Sequence, residues 1–207
     1  MNELISVITP TWKRHTDLLM GAIPTVAAQT GVELEHIVVS DGPDPMLRRI
    51  VPRRVQYFEL PEHDPDKHWG APARNFGLTK VSGEFIAYLD DDDLWEPDHL
   101  ETLLDALRAD PEAQWARSCG MIPVPGGTPW RIGDGALMQG RIGAGSMIMH
   151  RASLPAPWIT RGDEDWLLVK TWDDAGIKHA TTGYASVTYR PSAGVENRDF
   201  VVVPRLC

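Results

Sequence analysis

The sequence predicts an α/β fold: a mostly parallel, twisted sheet with helices on both faces and a smaller lobe completing it. Three observations predict it. Apolar strand-like runs alternate with helix-periodic segments over residues 4–110. Polar clusters follow the strands, where open α/β sheets bind ligands. From about Trp115 the character changes, with Gly and Pro dense between Gly120 and Gly145. At 207 residues the chain suits one domain, 1–207, with halves of about 1–110 and 111–207.

Leu4–Ile8 is a short apolar run, and from Thr16 to Gln29 the residues Leu18, Leu19, Ile23, Val26 and Ala27 fall near a 3.6-residue period. His36–Ser40, Val55–Leu60 and Phe85–Leu89 are further strands, rich in β-branched and aromatic residues. Ala71–Val81 reads as a helix. Pro97 suits a first helical position, and Leu100, Leu103, Leu104 and Leu107 form an i, i+3, i+4, i+7 stripe that stops before Pro111. In the second half, Ser146–Met149 reads as a strand and Asp163–Ala175 as an acidic helix.

Composition narrows the function. Twenty Lys and Arg against 29 Asp and Glu give a net charge of −9, which disfavours tight charge-driven binding to nucleic acid or anionic lipid as the main activity. A small anionic ligand then requires local cations or a metal. Cys119 and Cys207 lack Cys-x-x-Cys spacing and read as free thiols in a reducing cytoplasm. Met1-Asn2-Glu3 lacks a basic signal-peptide start, and Leu18–Val32 is too short and polar to span a bilayer, so a cytoplasmic location without a transmembrane segment is expected.

Thr9-Pro10-Thr11 follows the first strand, Asp41-Gly42 the second and Asp90-Asp91-Asp92-Asp93 the fourth. The first loop lacks G-x-G-x-x-G, and no G-x-x-x-x-G-K-[ST] occurs, which removes the dinucleotide and P-loop fingerprints. Four adjacent carboxylates repel one another unless an arginine or a hard divalent cation offsets them. Mg²⁺ or Mn²⁺ held by one or two carboxylates, with diphosphate oxygens completing the shell, fits this run; a solvated acidic turn ahead of Pro97 is the plainer reading. No zinc spacing joins the seven histidines, and His63 and His68 read as exposed loop residues. Most of the eight tryptophans read as packing residues, although Trp12, Trp69 and Trp95 adjoin the motif loops and Trp130 and Trp158 lie in the later half.

Ile5–Arg14, Ile37–Gly42, Gly70–Leu78 and Gly83–Pro97, followed by Gly162-Asp163-Glu164-Asp165-Trp166, resemble in order and spacing the motifs of family 2 inverting glycosyltransferases with the GT-A fold. The resemblance covers roughly residues 4–190. It implies a nucleotide-binding first half and an acceptor-side second half. Carried over by position, it implies that Thr9, Pro10 and Thr11 pack on the nucleotide with Arg14 nearby, and that Asp41 bonds the base or ribose. Arg74 and Asn75 would approach the nucleotide or donor sugar. Asp90-Asp91-Asp92 matches the family's Asp-x-Asp, with Asp91 toward the ribose and Asp92, with Asp90, at the divalent metal. Asp165 matches the general base.

The implied activity is metal-dependent transfer of one sugar, with inversion, from a nucleoside-diphosphate sugar of the UDP class to an acceptor hydroxyl on a saccharide, lipid-linked saccharide, protein or modified base. Two features depart from the family pattern. Tyr189-Arg190-Pro191-Ser192 has no metal- or phosphate-binding histidine, leaving Arg190 as a substitute, and the processive Gln-x-x-Arg-Trp is absent. A binding module without turnover is one alternative. A haloacid-dehalogenase-like phosphatase is another, but it expects Thr or Val where Leu94 stands and an N-terminal motif.

Overall fold

Seven consecutive buried residues make β1 (Ile5–Thr11) the spine of the sheet. The computed structural model describes residues 3–66, 70–124, 126–133, 135–137, 145–160 and 163–189. Trp69, His68, Gly143, Ala144, Gly162, Arg190 with Pro191-Ser192, and Cys207 lie outside the described residues. β1 pairs in parallel with β2 (Leu34–Ser40) on one side and β4 (Phe85–Tyr88) on the other, and β3 (Gln56–Glu59) extends the sheet beyond β2. The short apolar runs thus become parallel strands, with β1, β4 and most of β2 buried on both faces, as expected of an α/β sheet, and β3 half-buried at the edge.

Past β4 the sheet turns mixed. β8 (Ile148–Arg151) joins β4 antiparallel, then come β6 (Trp115–Ile122), β9 (His179–Thr188) and the two-residue β5 (Leu94–Trp95), while β7 (Trp130–Ile132) pairs β6 from the side. β6, β7, β9 and β5 were not legible as strands. The predicted strand at Ser146–Met149 is instead a 3₁₀ turn, Gly145–Met147, running into β8.

Helices cover both faces. α4 (Ala71–Leu78) packs Ala73 with Ile37 and Val39, while α5 (His99–Ala109) buries Leu100, Leu103, Leu104 and Leu107 in the main core with Tyr88 and Trp115. Truncating any one of those leucines to alanine costs about 2–5 kcal/mol. α5 starts two residues after Pro97, whose carbonyl accepts the Thr30 amide at 2.9 Å, so Pro97 is not its first residue.

The first predicted helix is three pieces: α1 (His15–Asp17), a π-helical turn (Leu18–Ala22) and α2 (Ile23–Ala27). Pro24 explains the widening. It donates no amide and its ring crowds the carbonyl four residues back, and the chain widens into the π turn just ahead of it. α3 (Leu47–Ile50) was not predicted, and α6 (Glu164–Asp174) falls within its expected span.

Candidate functional site

The carboxyl ends of β1, β2 and β4 bring their polar residues to one edge. Thr9, Pro10 and Thr11 do not follow the first strand as expected; they are its last three residues, paired with Val38, Val39 and Ser40. Pro10 is tolerated there because the pairing with β4 ends at Ile8–Tyr88, so the ladder on that side needs no donor from it. The Asp41 amide then donates to Thr11 O at 2.8 Å, locking the two strand ends together.

The four aspartates do not form one acidic turn; each has its own partner. Arg74 pairs with Asp90. Thr11 Oγ1 donates to Asp91 Oδ2 at 2.7 Å. Arg14 pairs with Asp92 and lies 3.9 Å from Asp91. Asp93 is fully buried and accepts from Ser146 Oγ at 2.6 Å, while the same hydroxyl receives the Asp90 amide at 3.0 Å. Asp93 and Ser146 are therefore the pin that holds the loop, leaving Asp90, Asp91 and Asp92 around the edge. Burial pushes the Asp91 carboxyl up to about 7 against the pull of Thr11, with Asp92 adding repulsion. Burial also raises Asp92, and Asp90 raises it further against Arg14.

Arg74 joins this edge to the second half of the chain. It is 3% exposed, pairs with Asp90, lies 3.5 Å from Glu164 Oε1 and stacks its guanidinium 4.4 Å from the centre of the Trp158 ring. Burial opposes its charge, but Asp90, Asp165 and Glu164 outweigh burial and its pKa is raised. One cation faces three carboxylates. Burial pushes Glu164 up to about 8, with Arg74 opposing and Asp165 reinforcing, and it raises Asp165 despite Arg74. Asp165 Oδ1 is buried with no hydrogen-bond partner among the described residues. A Cβ on Gly145 would meet that oxygen at 3.4 Å and the Trp158 ring at 2.8 Å, so glycine is required for this approach.

Asn75 and Thr9 take positioning partners. The Asn75 side chain donates to Trp158 O at 2.8 Å and accepts from Trp158 N at 2.9 Å, clamping the segment that carries the Arg74 platform. The Thr9 hydroxyl shares a 2.9 Å hydrogen bond with His36, both buried. Pro10 packs opposite Gly70, whose left-handed φ of +89° opens α4 and whose missing Cβ would stand 3.0 Å from Pro10 Cβ. Trp158 and Trp95 are buried packing residues, so Trp95 is not free to stack on a ligand despite adjoining a motif loop; its indole donates to Ser146 O at 2.8 Å.

His63 adds contacts at this edge that the sequence does not announce. Its Nδ1 donates to Asp41 Oδ2 at 2.9 Å, and its ring stacks on Trp12 at 4.2 Å with 8° between the planes. Asp41 Oδ1 also accepts the Asp64 amide at 3.3 Å. A histidine 22 residues downstream in a polar loop carries no local signal of such a partner.

Hard carboxylate oxygens suit Mg²⁺ or Mn²⁺. Among the described residues no group of three or more His, Cys, Asp or Glu side chains is arranged to hold a metal ion by itself, so a metal here fits one or two aspartates with the remaining positions supplied by ligand oxygens.

A family model described as glycosyl transferase family 2 matches residues 6–137. Succinoglycan biosynthesis protein ExoW of Rhizobium meliloti (strain 1021) is 31% identical over 127 residues, which are 56% of this chain and 38% of that protein. Glycosyltransferase GlyG of Streptococcus pneumoniae serotype 4 is 30% identical over 114 residues, 52% of this chain and 36% of GlyG. The chain thus spans well under half the length of these two relatives. Among solved structures, S. aureus TarS 1-349 superposes with a TM-score of 0.69 at 17% identity, covering 89% of this chain and 59% of that one. TarS 1-349 is also known in complex with UDP and with UDP-GlcNAc. Mannosyltransferase PcManGT from Pyrobaculum calidifontis, in complex with GDP-Man and Mn²⁺, superposes at 0.67 with 19% identity, covering 95% of this chain and 58% of that one. The mixed sheet matches these GT-A neighbours, as the sequence led us to expect. With the match to more than half its length, the chain belongs to glycosyl transferase family 2.

Proposed function

We propose that the protein is an inverting, metal-dependent glycosyltransferase that moves one sugar from a nucleoside-diphosphate sugar, of the UDP class, to an acceptor hydroxyl. One observation carries this reading: Arg74 bridges Asp90 of the strand-end aspartates and Glu164, the neighbour of Asp165, so the donor edge and the base candidate share one buried cation. The complexes of TarS with UDP-GlcNAc and of PcManGT with GDP-Man support a nucleoside-diphosphate sugar as donor, and the former favours the UDP class.

In this reading Thr9, Pro10, Thr11 and Arg14 form the nucleotide edge, Asp41 meets the base or ribose, and Asp91 faces the ribose. Asp92 and Asp90 would hold Mn²⁺ or Mg²⁺, which supplies neutralisation of the charge that builds on the departing diphosphate. Arg74 and Asn75 hold the donor side in register with Asp165 through Asp90, Glu164 and Trp158. Asp165 accepts the acceptor's hydroxyl proton. The freed oxygen bonds to the anomeric carbon as the bond to the nucleoside diphosphate breaks on the opposite face, which inverts configuration. Positioning and preorganised charge supply most of the rate enhancement.

Calorimetric titration with UDP, GDP, CDP and TDP, each with and without Mn²⁺, tests the donor site. Metal-dependent binding of one diphosphate, lost in Asp92→Ala, is expected. No binding to any of the four sinks the assignment, and donor binding without an acceptor-dependent product points to a module without turnover.

A further inference from the structure

Between β2 and β3 the chain carries charge and exposed apolar surface that the donor edge does not use. Residues 45–58 read Pro-Met-Leu-Arg-Arg-Ile-Val-Pro-Arg-Arg-Val-Gln-Tyr-Phe, with four arginines and no acid in a chain of net charge −9. Asp44 Oδ1 accepts the amides of Met46 and Leu47 at 3.1 Å each and fixes the start of α3. Asp44 Oδ2 meets His15 Nε2 at 2.7 Å, tying the segment to α1. Leu47 is the fully buried anchor.

With Leu47 turned inward, its neighbours face out. Met46 and Ile50 are 53% and 41% exposed, and Arg48, Arg49, Arg53 and Arg54 are exposed beside them. Arg48 pairs with Glu59, whereas Arg49, Arg53 and Arg54 make no ion pair among the described residues. A cleft of about 500 Å³ is lined by Arg54 and Val55 from this segment and by Ile23 and Val26 of α2.

We infer that this α3 face is a peripheral docking site for an anionic phospholipid bilayer. A merely solvated charge run has no use for large apolar side chains set among its arginines, but an interfacial segment does. Its guanidinium groups meet lipid phosphates while Met46 and Ile50 enter the boundary of the acyl region. A nucleic-acid surface of this kind would present exposed aromatic platforms among the cations, whereas the segment's two aromatic residues, Tyr57 and Phe58, are half-buried in β3. The acidic balance of the whole chain fits a docking role rather than opposing it. Repulsion elsewhere on the surface leaves the basic face as the one that approaches, so the field orients the molecule. The inference stands independently of the transferase reading.

Co-sedimentation of the full chain with vesicles of phosphatidylcholine and phosphatidylglycerol in a 7:3 ratio, against phosphatidylcholine alone, is the test. Binding is expected only to the anionic vesicles, and it weakens as salt rises. Arg49→Gln and Arg53→Gln each weaken it about five-fold, roughly 25-fold together. Met46→Ser with Ile50→Ser also weakens it, at unchanged charge. All these exposed variants keep the parent's thermal unfolding and diphosphate binding, which separates lost docking from lost folding. Absence of binding to anionic vesicles, equal binding to neutral ones, or an affinity that neither pair of substitutions changes overturns the inference. Retention on RNA without vesicle binding overturns it in favour of a nucleic-acid partner.

Discussion

The parallel half of the sheet and the mixed half build the same site by different means. In the first, β1, β2 and β4 deliver Thr11, Asp41 and Asp90–Asp92 by running in one direction and ending at one edge. In the second, the β8 region, the Trp158 segment and α6 deliver Ser146, Trp158, Glu164 and Asp165 by reaching back across the chain. Strand direction places the first group, while individual hydrogen bonds and one buried arginine place the second. Damage to the first set should therefore weaken ligand binding, and damage to the second should cost turnover or stability.

The largest break in that comparison is Asp165→Asn. In the proposed mechanism Asp165 is the general base, and removing such a group costs about 10²–10⁴-fold in kcat. Diphosphate affinity measured by calorimetry is expected to stay within a factor of a few of the parent. An equal loss in binding would place Asp165 with the donor edge.

Arg74 comes next, because it is the cation shared by both halves. Arg74→Met leaves Asp90, Glu164 and Asp165 facing one another without it, and breaking a buried pair in this way costs about 3–5 kcal/mol of stability. Chemical denaturation reads that loss directly. The same cluster sets a pH dependence. Glu164 has a folded pKa of about 8 against an ordinary 4.5, so between those values the folded protein holds a proton that the unfolded chain has released. Stability therefore falls as pH rises from about 4.5 to about 8. Glu164→Gln removes that part of the slope in melts across the range, and an unchanged slope assigns it elsewhere. For activity the proposed mechanism gives the opposite sign: Asp165 is raised, and as the proposed base it works only when ionised, so kcat is expected to rise with pH beginning above the ordinary aspartate range.

The two halves also differ in how far they could be read. The Phe85–Tyr88 strand and the α5 leucines announce themselves because local pattern and burial agree. β6 does not, since Arg117, Ser118 and Gly120 interrupt its apolar residues. Arg117 belongs there because its guanidinium donates to the carbonyls of Gly133 and Gly135, contacts that no local period encodes. β9 is similarly polar, with Gly183 and several threonines, and it forms as a partner of β6 and β5. In the site, the aspartate run is visible in the sequence but its division is not: Asp93 is set apart by burial and by a hydroxyl 53 residues away.

Asn75 tests whether the second half is held as tightly as its contacts imply. Asn75→Ala removes both hydrogen bonds to the Trp158 backbone, and unsatisfied groups of this kind cost about 1–3 kcal/mol. The Trp158 platform under Arg74 loosens with it. A modest drop in melting temperature accompanied by a larger drop in kcat than in donor affinity is expected. Donor affinity falling first would make Asn75 a ligand contact in its own right.

His63 sharpens the comparison from the donor side, where the expected effect is smallest. Its ring is stacked on Trp12 and bonded to Asp41, so it orders an aromatic face beside a carboxylate at the end of β2. In His63→Ala, Asp41 keeps the Asp64 amide and Trp12 keeps Lys13, whose ammonium lies 4.6 Å from its ring. The fold should therefore persist. A stacked ring pair contributes about 0.5–1.5 kcal/mol, so a loss of order in the Trp12 face sets an upper bound of about 2- to 12-fold on the weakening of diphosphate binding. Because base recognition and sugar transfer sit at different ends of the donor, kcat at saturating donor should remain near the parent value. A fall in kcat with affinity unchanged would mean that the Asp41 end of the edge also controls the reacting geometry, and the separation between delivery by strands and delivery by long-range contacts would fail at that point.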